Sequence, residues 1–202
     1  MFNLIKRFVN LYIHILVATF IFCITLAQAE ELAYRTALPD ALDDTGWELM
    51  MDEEGTQIFK RDWPGSSFVA VKAVQMVEST VSNIIGNYSD IEAFPDWVED
   101  MEDAFLVEPF DQTRSRKVYM RMGLPWPLQD RDMVVGQQLM QDPETKIVRI
   151  REWNEGDTLP ENDGVMRIPR LNSEVILYPE SKMRTKMIWQ GHNEPGGLIP
   201  PF

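Results

Sequence analysis

Between Arg116 and Leu124 apolar and polar residues alternate. Val118, Met120, Met122 and Leu124 share one parity, and Lys117, Tyr119 and Arg121 the other. Successive side chains of a strand point to opposite faces, so this segment predicts a strand with one apolar face. Phe68–Val77 reads the same way: Val69, Val71, Ala73 and Val77 share a face with Gln75 as its misfit, and Ala70, Lys72, Val74 and Met76 share the other. Shorter strands are predicted at Thr56–Arg61, Met133–Met140, Lys146–Trp153, Val165–Arg170, Ser173–Tyr178 and Met183–Gln190. Turn-forming runs separate them, among them Asp52-Glu53-Glu54-Gly55 and Asp142-Pro143-Glu144-Thr145.

Helical spacing appears in the middle of the chain. Val81, Ile84, Ile85 and Tyr88 fall on one face of a helix that Ser79 or Thr80 is placed to cap. Trp97, Met101 and Phe105 then predict a second helix over Asp96–Phe105. Its solvated side would carry Glu99, Asp100, Glu102 and Asp103, and Pro109 would end it. Residues Ala33–Asp44 predict a short first helix or a loose arm. The order is a short helix, two strands, a helical section, then five or six strands. Helices segregated from an antiparallel sheet make the class α+β.

The first 29 residues read as a targeting segment. Lys6 and Arg7 precede an apolar stretch from Leu11 to Leu26, and Ala27-Gln28-Ala29 offers small residues at both positions a signal peptidase reads. The stretch is about 16 residues long, short of the roughly 20 that a bilayer crossing needs. The expectation is cleavage after Ala29 and export, to the periplasm if the host is Gram-negative, with a retained membrane anchor less favoured. Residues 30–202 would then form one domain.

Composition narrows the function. The chain carries 32 acidic and 19 basic residues, a net charge of −13, and losing Lys6 and Arg7 makes it more acidic still. Such a surface repels phosphate backbones, so nucleic acid is not an expected partner. Cys23 is the one cysteine and His192 the one histidine beyond the leader. Neither a zinc site nor a histidine-based nucleophilic site has the residues it needs, apart from His192 itself as a general base. Asp130-Arg131-Asp132 places two carboxylates on one face of a strand, the spacing of a divalent-metal site. Local pairing with arginine explains that cluster better, so neither metal nor cofactor is expected. Met120, Met122, Met133, Met140, Met183 and Met187 fall in predicted strands. Methionine adapts its shape to varied apolar partners, as the wall of a ligand groove requires.

Several stretches together resemble the START (StAR-related lipid transfer) domain, in the exported bacterial branch of the helix-grip superfamily. They are Gly55–Arg61, Ile91–Trp97, Tyr119–Val134 with its PWP-x-x-DRD run, Gly164–Pro169, and the PGG-x-IP turn within Glu194–Pro200. The resemblance runs in register over Leu42–Phe202. It implies a curved antiparallel sheet gripping a long C-terminal helix, with a lipid or another apolar molecule between them. That helix would follow the PGG-x-IP turn, and the present sequence stops at Phe202, so the expectation is a helix-grip fold lacking it.

Carried over by parity, the inward candidates are Val118, Met120, Met122 and Leu124, followed by Met133, Val135, Ile150, Met183 and Met187. Arg131 is a candidate polar contact. No catalytic residue is assigned. The leading expectation is binding or transfer of an apolar ligand rather than catalysis. Two alternatives stay open: an aromatase/cyclase-like enzyme on the same fold, and an interaction module whose partner fills the groove. Transient membrane contact and self-association through an uncovered groove accompany the leading expectation.

Overall fold

The computed structural model describes residues 28–30, 33–34, 38–41, 43, 45–197 and 199. The predicted signal segment therefore lies almost wholly outside the described residues. The chain divides into two compact units, Met1–Ala37 and Leu38–Phe202. In the first, residues 28–30 and 33–34 are helical. The second unit is built on a ten-stranded sheet.

In chain order the strands are β1 (Glu48–Glu53), β2 (Thr56–Arg61), β3 (Ala70–Val77), β4 (Met101–Glu108), β5 (Ser115–Met122), β6 (Arg131–Gln141), β7 (Val148–Asn154), β8 (Met166–Arg167), β9 (Arg170–Ser181) and β10 (Arg184–Glu194). Across the sheet the order is β1-β2-β3-β10-β9-β7-β6-β5-β4, every neighbouring pair antiparallel. The two-residue β8 instead pairs in parallel with the start of β6. Helix α1 (Val81–Ser89), a 3-10 turn at Ile91–Ala93 and the one-turn helix α2 (Phe94–Trp97) connect β3 to the edge strand β4. They lie on one face of the sheet, the inner face below.

Local chemistry explains α1. Thr80 caps it, accepting the Asn83 amide on its hydroxyl at 3.1 Å, which satisfies one of the helix's free N–H groups. The Thr185 hydroxyl of β10 donates to Ser79 O at 2.8 Å and ties the helix entrance to the sheet. The apolar side of α1 meets Val148, Ile150, Val175 and Leu177. Ile91 and Phe94 meet a second group with Ala104, Val118, Met133 and Val135.

One expectation is corrected here. Met101–Glu108 is the edge strand β4, not the continuation of a helix. The Trp97-Met101-Phe105 spacing suits a helix, but Val98 is extended with ψ at 119° and ends α2 after one turn. Thereafter Ala104 is buried against the inner face while Phe105 stacks on Tyr119 on the other side, ring centroids 4.6 Å apart. Irregular pairing on both sides of Ala104 breaks the period-two signal that would have announced a strand.

The opposite, outer face carries its own small core. Ala41 covers Ile176 and Ile188. Pro39 O accepts from Gln190 Nε2 at 2.7 Å. Lys72 is buried, its ammonium 4.9 Å from the Trp47 ring centroid and 5.1 Å from that of Phe59.

Candidate functional site

The inner face is apolar in two patches with a polar row between them. In the first patch Val118 stands opposite Val135, and Met120 opposite Met133. Val118, Met133 and Val135 are buried, while Met120 and Met122 are half-buried beside them. The second patch holds Ile150, buried, with half-buried Leu139, Met187 and Trp189 packed against it under α1. No residue of α1 is fully buried, so its apolar side rests on the sheet without sealing it.

The polar row follows the sheet register. Arg116 stands opposite Gln137, Gln137 opposite Glu152, and Glu152 opposite Ser173. Arg116 Nε donates to Gln137 Oε1 at 2.8 Å, and Gln137 Nε2 donates to Glu152 Oε1 at 2.8 Å. The Ser173 hydroxyl donates to Glu152 Oε2. From above, the Tyr88 hydroxyl of α1 donates to Glu152 Oε1 and accepts from Gln137 Nε2 at 2.9 Å. Arg116 also donates to Tyr88 O at 2.9 Å and Ser89 O at 3.2 Å. Those carbonyls form the negative end of the helix dipole.

The electrostatics follow from burial. Desolvation, then the adjacent Glu152 charge, raises the Tyr88 phenol well above its ordinary value of 10.0, so it stays a donor. Desolvation lowers the Arg116 pKa, while the Tyr88 and Glu152 groups oppose that shift. One cation and one carboxylate make the row neutral overall, with polar groups directed at the underside of α1.

Sequence parity did not single out this row, although the signal was there. Arg116 shares the parity of Val118, Gln137 that of Val135, Glu152 that of Ile150, and Ser173 that of Val175. Each of these four polar residues sits beside apolar ones on the buried side, which is costly unless the groups meet one another.

The remaining candidates scatter. Leu124 lies past the end of β5, half-buried. Met183 sits in the β9–β10 turn, 60% exposed, rather than in a strand beside Met187; the strands end at Ser181 and resume at Arg184. Arg131 is buried, and its guanidinium donates to Pro195 O at 2.8 Å, Gly196 O at 3.2 Å and Gln129 O. It clamps the turn after β10.

The flanking carboxylates diverge onto different arginines. Asp130 pairs with Arg121 and accepts the Leu124 amide at 3.3 Å. Asp132 is buried and takes Arg167 in two bonds of 2.7 and 3.0 Å, with Asn162 Nδ2 at 3.1 Å. His192 is buried on the outer side, stacked 4.5 Å from Trp63 and 3.2 Å from Phe68 O.

This arrangement, a broad antiparallel sheet with an apolar inner face under short helices, is that of START domains. The chain superposes on a STAR-related lipid transfer protein from Xanthomonas axonopodis with a TM-score of 0.71 and 26% identity, covering 77% of this chain and 85% of that one. It is 25% identical over 156 residues to an uncharacterised protein of Pseudomonas aeruginosa, covering 77% and 76% of the two chains. It is 23% identical over 168 residues to the phosphatidylcholine transfer protein of Bos taurus, covering 80% and 76%. No family model matches the chain. The protein is thus similar in sequence and fold to START domains, and its fold is the helix-grip fold expected from the motifs. Among the described residues no long helix follows β10.

Proposed function

We propose that the chain binds a lipid or another apolar small molecule on the inner face, beneath α1, with the ligand's polar end against the Tyr88–Glu152–Ser173 group. The observation that carries this reading is the partial exposure of Met120, Met122, Met187 and Trp189 on a face where Val118, Val135, Ile150 and Leu177 are fully buried. Apolar side chains left partly open around one polar row match the make-up of small-molecule sites: mostly apolar walls and a few placed polar groups. The names of two relatives, a lipid transfer protein and a phosphatidylcholine transfer protein, support the same chemistry.

Native mass spectrometry of protein purified from its own host, followed by organic extraction, tests this. An apolar molecule bound one per chain, and lost in Met120→Lys, is the expected result. Protein that emerges empty and takes up no fluorescent fatty acid or sterol argues against the reading. Self-association through the same face would appear instead as a dimer in sedimentation that added ligand does not dissociate.

A second reading, an enzyme of the aromatase/cyclase kind, draws on the same cluster, since Tyr88, Arg116, Glu152 and Ser173 converge. The mutual bonding of these groups favours the binding reading. We also propose that residues 1–29 direct export; an intact mass starting at Glu30 is the expected outcome.

A further inference from the structure

The two apolar patches of the inner face are built from different side chains. The patch under α1 is packed by branched aliphatics, Val148, Ile150, Val175 and Leu177, and Met187 is the one methionine with them among the described residues. The patch beside it holds four methionines: Met101, Met120, Met122 and Met133.

The sheet register brings the four together. Met101 on β4 stands opposite Met122 on β5, and Met120, two residues back on β5, stands opposite Met133 on β6. Residues two apart on a strand share a face, and all four pack on one buried group that includes Phe94, Val118 and Val135. Directly opposed residues have Cβ atoms about 4.5–5.5 Å apart, and diagonal neighbours lie about 7–8 Å apart. A methionine side chain turns about three rotatable bonds, so the four thioethers can reach one point over β5.

Their exposure differs from that of a packed core. Met133 is buried, but Met101, Met120 and Met122 are half-buried. A core made for packing alone favours leucine, isoleucine and valine, whose rotamers are well defined, as the patch under α1 does.

The donors decide which ion suits such a patch. Among the described residues no group of three or more His, Cys, Asp or Glu could hold a metal, so the usual zinc and calcium donors are not gathered there. Thioether sulfur is a soft, neutral donor that selects Cu(I). A monovalent ion also costs less to bring into apolar surroundings than a divalent one. Arg131 stands opposite Met122 on β6, but its guanidinium donates to Gln129 O, Pro195 O and Gly196 O and is directed to the turn after β10. The net charge of −13 favours the approach of a cation.

We infer that Met101, Met120, Met122 and Met133 form a site for one soft monovalent metal ion, Cu(I), held by thioether sulfur alone. The inference goes beyond the binding of an apolar molecule and does not depend on it.

The test uses Ag(I), a redox-stable probe of the same charge and softness, in chloride-free buffer, and then Cu(I) under ascorbate without oxygen. Every protein is the full chain carrying Cys23→Ser, which removes the one thiol. Native mass spectrometry should show one Ag(I) per chain, and the chain should take Cu(I) from a weak colorimetric chelator. The double variant Met120→Leu/Met122→Leu conserves volume closely and should melt near the parent. It should bind Ag(I) about 100-fold more weakly, the upper end of what losing an outer-sphere partner alone costs a metal site. Met50→Leu/Met183→Leu, at two exposed methionines outside the patch, should bind as the parent does. Thioethers take up no proton, so affinity should stay level from pH 7.5 to 5, whereas a site using His192 or carboxylates would weaken as those groups protonate. Uptake of a fluorescent fatty acid from metal-free solution should survive in Met120→Leu/Met122→Leu, so failure of the metal site and failure of the apolar-ligand reading are read separately. No Ag(I) bound at micromolar concentration, equal binding in Met120→Leu/Met122→Leu, or affinity that falls with pH would each overturn the inference.

Discussion

Gln137 Nε2 lies 2.8 Å from Glu152 Oε1 across the β6–β7 ladder, and the same carboxylate receives the Tyr88 hydroxyl from the helix above and the Ser173 hydroxyl from the strand beside it. Glu152 is thus the point at which α1 and three strands are tied together. Glu152→Ala should cost about 3 kcal/mol or more, because it leaves three donors without their acceptor and the Arg116 charge without its counter-charge. Tyr88→Phe removes one bond and should cost only about 1 kcal/mol. Urea titrations of both variants check the ratio. Equal, small effects would mean that the row is wet and α1 is held by its apolar side alone.

Met120 and Met183 were both expected on the apolar face, and the structure separates them. Met120 packs half-buried against the Val118–Met133–Val135 group, whereas Met183 is 60% exposed in a turn. Met120→Lys should cost several kcal/mol, since it places an unpaired ammonium in apolar surroundings. Met183→Lys should stay within about 0.5 kcal/mol of the parent, as surface changes do. Thermal melts of the two variants, run side by side, decide the matter.

These contrasts show what the sequence could and could not reveal. The period-two pattern survives in two interior strands: Val118, Met120 and Met122 on β5 and the alternating faces of β3 were legible. Helix α1 was legible because Thr80 and the Val81-Ile84-Ile85-Tyr88 spacing agree. The two edge strands were not. β1 (Glu48–Glu53) is exposed at five of its six positions and carries no pattern to read. β4 is interrupted by irregular pairing. Acids on both edges discourage pairing with other chains, and they also erase the strand signal. Turn positions failed for a different reason. Whether Met183 ends a strand or sits in the turn depends on the β9–β10 register, which the length and type of the hairpin turn set. The polar row was hidden because each member looks like a lone exception until the register lines them up.

Gly136 marks a close approach on the outer face. A Cβ built there would lie 2.5 Å from the Trp153 indole, whose Nε1 donates to Glu155 Oε1 at 2.6 Å and fixes the ring over β6. Gly136→Ala should destabilise by about 1–3 kcal/mol, the usual cost of overpacking. Adding Trp153→Ala should recover much of that penalty if the clash is its cause. Calorimetric unfolding of the single and double variants measures the coupling.

The pH dependence of stability should fall in two separate windows. Burial lowers the pKa of His192 from its ordinary 6.5; Glu194 and the bond to Phe68 O oppose the shift, and Arg170 adds to it. The unfolded chain therefore binds a proton near pH 6.5 that the folded chain resists, so stability is full above that pH and declines as pH falls below it. Asp132 behaves as an acid with the same sign. Burial pushes its pKa up, but the two bonds and charge of Arg167, with Asn162 and Tyr119, outweigh that and hold it below 3.8. Its contribution is complete above pH 3.8 and is lost as pH falls through the folded value. Denaturant midpoints between pH 7.5 and 5 should fall in the wild type and flatten in His192→Gln. The loss below pH 4 should persist in that variant and shrink in Asp132→Asn, which starts from a lower stability because it has already given up the charge pairing with Arg167. A wild-type midpoint that stays level from pH 7.5 to 5 would mean that the Trp63 stack accepts the imidazolium, and that His192 is more solvated than its burial implies.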